Sequence, residues 1–368
     1  MSQYNLIDNP NSSNRPPVIN VGIIGWLRHN LFSSWTNTVL TVVAAGIIYS
    51  LFPPLFQWAI LDADWSGVSR ESCTGKGACW VFIKTWFWHL IFGLYPVDER
   101  WRVVLAFGIL IVASIPLFIP WFKYKALVGV FLLIGFPVLA YFLFVGDILG
   151  MPLVETPLWG GLFLTLVIAG CGIVLSLPLG ILLALARRSS MPVLRGLSVA
   201  FIELWRGVPL ITVLFMASVM FPLFLPEGVN FDKLLRALIA VTLFSAAYMA
   251  EVVRGGLQAI PRGQYEAAQS VGLSYWRMMT FVILPQALKH VIPGIVNSFI
   301  ALFKDTTLVA IIGLFDFLGM LQVARSDPDW LGFAPEGYVF GGLVFWIFCF
   351  GMSRYSQYLE KEFRTESQ

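Results

Sequence analysis

Charge is scarce in this chain. Only 12% of its 368 residues are Asp, Glu, Lys or Arg, against roughly 25% in an average soluble domain. So few charges cannot clothe a water-exposed surface of this size, and the composition shifts to apolar residues instead, 58% of the total with a mean hydropathy of +0.79. The net charge of +3 is too small to be a nucleic-acid footprint. Histidine occurs three times. His29, His89 and His290 stand apart, with no Ser–His–acid set and no metal-ligand spacing around them, so hydrolytic and metal-centred chemistry lack candidates. The Gly-x4-Gly-Lys-(Ser/Thr) phosphate loop is absent, and Gly75-Lys76-Gly77 is a fragment without its context. No internal repeat is visible, which removes the usual support for a secondary transporter built from inverted halves. Residues 1–20 are polar and hold no apolar stretch before a small-residue cleavage site, so they read as a flexible tail, not a signal peptide. There are four cysteines. Cys171 and Cys349 sit in apolar runs as small packing residues. Cys73 and Cys79 flank Thr-Gly-Lys-Gly-Ala and can form a disulfide if that loop faces an oxidising compartment. With only His89 near them, a metal site is the weaker reading.

What the chain has in quantity is long apolar runs. A membrane-spanning helix needs about 20 such residues, and eight runs qualify: 35–60, 102–120, 126–145, 158–186, 198–225, 233–253, 291–315 and 337–354. The expected fold is therefore an all-α integral membrane protein with about eight transmembrane helices. Residues 80–95 are rich in Trp, Phe and Tyr but include Lys84 and His89, which suits a helix in the headgroup layer. With the N-terminus in the cytoplasm, fifteen of the 24 basic residues fall inside, among them Arg28, Lys123, Arg187, Arg254, Arg262, Lys289 and Arg354. That bias predicts both termini in the cytoplasm, residues 262–289 inside, and Cys73 and Cys79 outside. The chain divides into a tail at 1–34, a three-span part at 35–150 with a large external loop at 61–101, and a five-span part at 151–368 with an internal loop at 255–290.

Three charged motifs lie at or inside spans. Glu203 and Arg206 are three apart in Glu203-Leu204-Trp205-Arg206-Gly207-Val208-Pro209, and can pair on one helix face. Pro209 should loosen the helix there. Glu251 and Arg254 repeat the spacing before Gly255-Gly256. Simple structural ion pairs are an adequate account of both. Lys304-Asp305-Thr306-Thr307 lies deep in the seventh span, where charge usually faces a cavity or a partner. Neighbours on a helix point about 100° apart, so Lys304 and Asp305 cannot simply neutralise one another. Each can pair elsewhere in the bundle. The functional alternative is that Asp305 holds an ammonium group, Lys304 meets a carboxylate, and Thr306 and Thr307 offer hydroxyls to a zwitterion.

The longest mixed polar tract of the second half is Arg262–Lys289. Pro261 suits a helix start, and Gln264 to Val271 a short helix with Tyr265, Ala268 and Val271 on one face. Gly272 can end it in the left-handed conformation, Ser274 can cap a second helix, and Pro285 marks its limit. Such a pair is a rigid knob fit to dock in a groove on another protein, although composition alone favours an ordinary interfacial loop.

The residues themselves go further. Glu266-Ala267-Ala268, Gly272 and Val282-Ile283-Leu284-Pro285, at these spacings between spans, resemble the EAA loop of ABC-importer permease subunits. Val282 departs conservatively from the usual Ile, and Gln286-Ala287-Leu288 is similar to the amino-acid-importer version. The resemblance runs from about 158 to 354 and includes the Glu203–Leu210, Tyr248–Gly256 and Lys304–Leu308 stretches. The three preceding spans, with Phe92-Gly93-Leu94-Tyr95-Pro96 and Asp98-Glu99-Arg100-Trp101-Arg102, resemble a longer subgroup of general L-amino-acid and glutamate/glutamine/aspartate/asparagine permeases. The resemblance implies a five-helix ABC type I importer core. It also implies ATPase coupling through Gln264, Tyr265, Glu266, Ala267, Ala268, Val271, Gly272 and Leu273, and motion relayed from the loop to the spans by the Tyr248–Gly256 stretch. The partners it implies are an ABC ATPase dimer using ATP and Mg, a second homologous permease and a periplasmic amino-acid-binding protein, all at the inner membrane. No cofactor on this chain is implied. The competing class is a stand-alone amino-acid transporter driven by an ion gradient; a membrane scaffold or enzyme would show no flux at all.

Overall fold

In the computed structural model, described over residues 22–119, 121–147, 150–226, 228–229 and 231–365, the chain is helical. The tail at 1–20 lies outside the described residues. Seven helices are long and apolar enough to cross a membrane: Trp35–Leu61, Val97–Phe118, Lys125–Val145, Gly161–Arg187, Lys233–Ala259, Tyr275–Ile312 and Ala334–Lys361. They coincide with seven of the eight expected runs. The eighth, 198–225, is not one rod. It is a pair, Pro192–Gly207 and Leu210–Phe224, bent by 102°. Val208 is extended at φ −107°, ψ 135°, because the ring of Pro209 disfavours the helical conformation in the residue before it and supplies no N–H.

The described residues form two compact units, one ending at Val81 and one beginning at Phe82. The first holds α1 (Gly22–Asn30) and α2 (Trp35–Phe56). No side chain of α2 is buried, as expected of a helix whose solvent is lipid. Pro53 and Pro54 lie inside it, and the chain widens directly afterwards into a π turn at Gln57–Leu61. That turn lets Asp62 N–H reach the Gln57 carbonyl at 2.9 Å. The loop beyond is folded: Cys73 and Cys79 are bonded, Thr74 N–H donates to Asp64 Oδ2 at 2.7 Å, and Trp80 Nε1 donates to the Ala59 carbonyl at 2.7 Å.

The second unit takes the chain from Phe82, within α3 (Trp80–Phe92), through α4 (Arg100–Ser114), α5 (Lys125–Val130), α6 (Phe136–Val145), α7 (Gly161–Arg187), α8 (Pro192–Gly207) and α9 (Leu210–Phe215). It continues through α10 (Lys233–Ala259), α11 (Arg262–Ser270), α12 (Tyr275–Met278), α13 (Leu284–Asp305), α14 (Phe317–Arg325) and α15 (Ala334–Thr365). α10 is the centre, packed on α7, α8 and α13. Close approach of α7 and α10 needs a small residue: a Cβ on Gly180 would stand 2.7 Å from Met249 Cβ. α3 lies at the end of the bundle that carries the 313–333 segment. The aromatic stretch expected in the headgroup layer is half protein-bound, since Phe82 packs on Trp330 and Phe333 at 5.6 and 6.4 Å while Trp88 stays exposed. After it, Tyr95 donates its hydroxyl to the Phe144 carbonyl at 2.9 Å, and buried Arg102 pairs with Glu99 at 2.9 Å.

At the same end buried Asp316 caps α14, accepting from Gly319 N–H at 2.9 Å. Burial pushes its carboxyl up to about 6 against the pull of hydrogen bonds from Gly319, Leu318 and Thr165. The folded form therefore holds the proton more tightly than the unfolded chain, and stability falls as pH rises from about 4 to 6. Asp316→Asn keeps the cap and removes the penalty. It should raise stability by on the order of 2–3 kcal/mol at pH 8 and little at pH 4. Thermal unfolding at the two pH values checks this; an equal effect at both contradicts it.

Candidate functional site: knob, charge cluster and polar cavity

The polar tract folds as two helices meeting at a left-handed residue. α11 follows Pro261, which sits one place earlier than a first-turn proline, as its N-cap. Gly272 has φ +78°, which ends α11, and the backbone of Ser274 opens α12 without a side-chain capping bond. Pro285 does not end the second helix. A π segment at Met279–Ile283 carries the chain past it, and the helix runs unbroken from Tyr275 to Ile312. The knob is thereby rigidly continuous with a span.

One side of α11 faces the bundle. Ala268 is buried among Ile260, Met278 and Ile283. Tyr265 donates to the Leu257 carbonyl at 3.1 Å and accepts from Arg188 at 3.1 Å, with the Arg188 guanidinium 5.5 Å above its ring. Gln286 donates to Gln264 at 3.3 Å, and Leu273 is half-buried. The other side is open: Glu266 and Ala267 are exposed, as is Trp276 on α12. Val271 departs from the expected face. It is 80% exposed, because it follows the last helical residue and no longer shares the face of Tyr265 and Ala268.

Above the knob, Glu251 collects three cations. Its side chain is 16% exposed and meets Arg254 at 2.7 Å, Arg187 at 2.7 Å and Arg206 at 3.7 Å. Of the two expected pairs, Glu251–Arg254 forms. Glu203 and Arg206 do not pair with each other: Glu203, 63% exposed, reaches Arg187 at 3.6 Å, while Arg206 turns to Glu251. The partly buried carboxylate lies where α7, α8 and α10 converge, and its field outweighs that of a solvated neighbour on the same helix. Arg187, at the C-terminal end of α7, is the member that spacing could not reveal.

Farther along the bundle, α7, α10 and α13 enclose a cavity of about 320 Å³. Asp305 lines it with Ser176, Ser245, Tyr248, Asn297 and Ser298. Asp305 is the last residue of α13 before the helix tightens to a 3₁₀ segment at Thr306–Ile312. Among the described residues, no ion pair involves it. The rest of its motif points elsewhere. Lys304 is exposed and is not a lining residue. Thr306 and Thr307 spend their hydroxyls on the carbonyls of Phe303 and Lys304, at 2.8 and 2.9 Å. Asn297 and Ala301 were recoverable from sequence, since with Asp305 they follow the i, i+4, i+8 pattern of one helix face. Ser176 and Ser245, on other helices, carried no such signal. Tyr248 connects the two sites: its ring lines the cavity and carries the Arg206 guanidinium at 5.5 Å.

Residues 176–365, which hold the cluster, the knob and the cavity, match the family described as binding-protein-dependent transport system inner membrane component. The chain belongs to this family. Over 340 residues it is 57% identical to the inner membrane amino-acid ABC transporter permease protein YhdY of Escherichia coli (strain K12), covering 92% of this chain and 93% of that one. Over the full length of both it is 42% identical to the glutamate/glutamine/aspartate/asparagine transport system permease protein BztC of Rhodobacter capsulatus. The shorter glutamate/aspartate import permease protein GltK of Escherichia coli O157:H7 is 32% identical over 206 residues, 55% of this chain and 91% of that protein. This permease is a multi-pass inner-membrane protein, and its helical extension before the matched region is shared with the two long relatives.

Proposed function

We propose that this permease is the membrane-spanning subunit of an ATP-driven importer for polar L-amino acids, working by alternating access with substrate passing the cavity at Asp305. The observation that carries the reading is a polar cavity with an uncompensated carboxylate, joined through one unbroken helix to an exposed knob. Asp305 takes the α-ammonium group, and the Asn297 amide and the hydroxyl groups of the cavity meet the carboxylate. Both charges of a zwitterion need such partners in a low-dielectric site. Lys304, exposed and outside the cavity lining, makes no substrate contact in this reading. The knob docks on a separate ATPase dimer, which uses ATP and Mg; this chain hydrolyses nothing and binds no cofactor. Closure of that dimer moves Glu266 and Trp276. Helix Tyr275–Ile312 and the Glu251 cluster carry the shift to α7, α8 and α10, and a second, related permease completes the pathway. A soluble amino-acid-binding protein delivers substrate on the periplasmic side, where Cys73 and Cys79 lie, and both termini are cytoplasmic. Family membership supports this reading over a stand-alone transporter.

The test is co-purification in mild detergent, wild type against Glu266→Lys, with associated proteins identified by mass spectrometry. An ATP-binding-cassette subunit recovered with wild type and lost with the variant is the expected result. A well-folded wild-type sample with no ATPase would overturn the proposal. Asp305→Asn should reduce uptake by at least about tenfold, the loss of one charge-assisted contact, with normal membrane levels and unchanged substrate affinity of the binding protein. Normal uptake would remove Asp305 from the path.

A further inference from the structure

A second cavity in the bundle, of about 510 Å³, has a different chemistry. It lies where the broken span meets α10. Trp205 and Val208 line it on one side of the break, and Met216, Met220 and Phe224 on the other. Among the described residues its walls are apolar apart from Arg236, the one charged side chain of the lining. Arg236 has no ion pair among the described residues. One guanidinium nitrogen donates to the Ser218 carbonyl in the π segment Met216–Met220, while Nε is buried with no partner. Asp232, one turn earlier, is engaged by Thr156 and by the Leu235 N–H.

A guanidinium so placed needs an anion, since an unpaired charge next to apolar walls is strongly unfavourable. The walls define the rest of that anion. A zwitterionic amino acid would bring an ammonium group for which they offer no acceptor. A purely apolar molecule would leave Arg236 unmatched. A long alkyl chain with one anionic head meets both requirements, and the volume is within the roughly 300–1,000 Å³ range of small-molecule sites. The depth also fits. Arg236 is three residues into α10 from Lys233, about 4.5 Å along a helix at 1.5 Å per residue, which is where a lipid phosphate meets the end of a span.

We propose that this cavity holds one acyl chain of an anionic phospholipid whose phosphate is bound by Arg236. The chain would lie against the break at Val208–Pro209 and brace the second half of the bent span on α10. The inference is independent of the substrate assigned to the Asp305 cavity.

The full-length permease, purified in mild detergent with whatever subunits accompany it, can be incubated with phosphatidylglycerol, washed with excess phosphatidylcholine micelles and assayed for retained lipid by mass spectrometry. Wild type should retain phosphatidylglycerol. Arg236→Gln should retain about tenfold less or lower, as expected for loss of a charge-assisted phosphate contact. Ala217→Phe fills the cavity and leaves Arg236 in place, so it should lose the lipid too; it decides the matter if Arg236→Gln fails to accumulate. Equal retention by wild type and Ala217→Phe overturns the proposal. So does wild type retaining no phosphatidylglycerol while Met220→Cys crosslinks to another polypeptide, which would make the occupant protein.

Discussion

Glu251→Gln is expected to destabilise this permease by about 1–3 kcal/mol, less than for a fully buried ionic network because the cluster is partly open to solvent. The substitution preserves shape and one hydrogen-bond acceptor. Among the described residues it removes the one negative charge shared by Arg187, Arg206 and Arg254, with Glu203 touching Arg187 alone. Three guanidinium groups from α7, α8 and α10 would then repel one another at the convergence of those helices. The arginines should not contribute equally. Arg254 and Arg187 make 2.7 Å contacts, whereas Arg206 is 3.7 Å away and 40% exposed. Water and salt screen such a pair, so Arg206→Gln should cost only ~0–1 kcal/mol. Thermal unfolding in detergent distinguishes the two, with Glu251→Gln lowering Tm by about 1–4 °C and Arg206→Gln by about 1 °C or less. A Glu251→Gln protein as stable as wild type would mean that the cluster contributes nothing to the packing of α10.

Gly272→Pro should abolish transport while leaving the bundle assembled. Gly272 sits at φ +78°, and the proline ring confines φ to about −65°. The substitution also removes the N–H that donates to Gln269 at 2.9 Å. The turn between α11 and α12 cannot then form as it stands, and the exposed residues Glu266, Ala267 and Trp276 lose their common orientation. Nothing lies within 4 Å of the position of a Cβ on Gly272, so the damage is confined to the knob's backbone. Gly272→Ala separates the causes: it retains the N–H and adds no clash, at a backbone cost of about 1 kcal/mol, and should keep partial uptake. Substrate uptake in intact cells, normalised to membrane level, is the measurement. Normal uptake by a well-inserted Gly272→Pro protein would end the coupling assignment of Glu266–Gly272.

The parts of this protein that were legible in its residues are those governed by short-range rules. A bilayer demands about 20 apolar residues per crossing, and seven of eight runs are helices of that kind. The left-handed Gly272 and the weak point at Pro209 follow from backbone sterics within a few residues. Even there, local rules did not foresee that the helix at Pro209 turns by 102°, or that a π segment carries a helix through Pro285.

What tertiary structure alone decided is which side chains face each other. Glu251 and Arg187 are 64 residues apart, and their pairing depends on how α7 and α10 are rotated about their axes. Neighbouring residues diverge by about 100° on a helix, so a small rotation selects Asp305 for the cavity and turns Lys304 away from it. Likewise Arg236 reads in the sequence as one more basic residue near a span end. Only the packing of the bent span against α10 surrounds it with apolar walls and leaves it without an ion pair among the described residues.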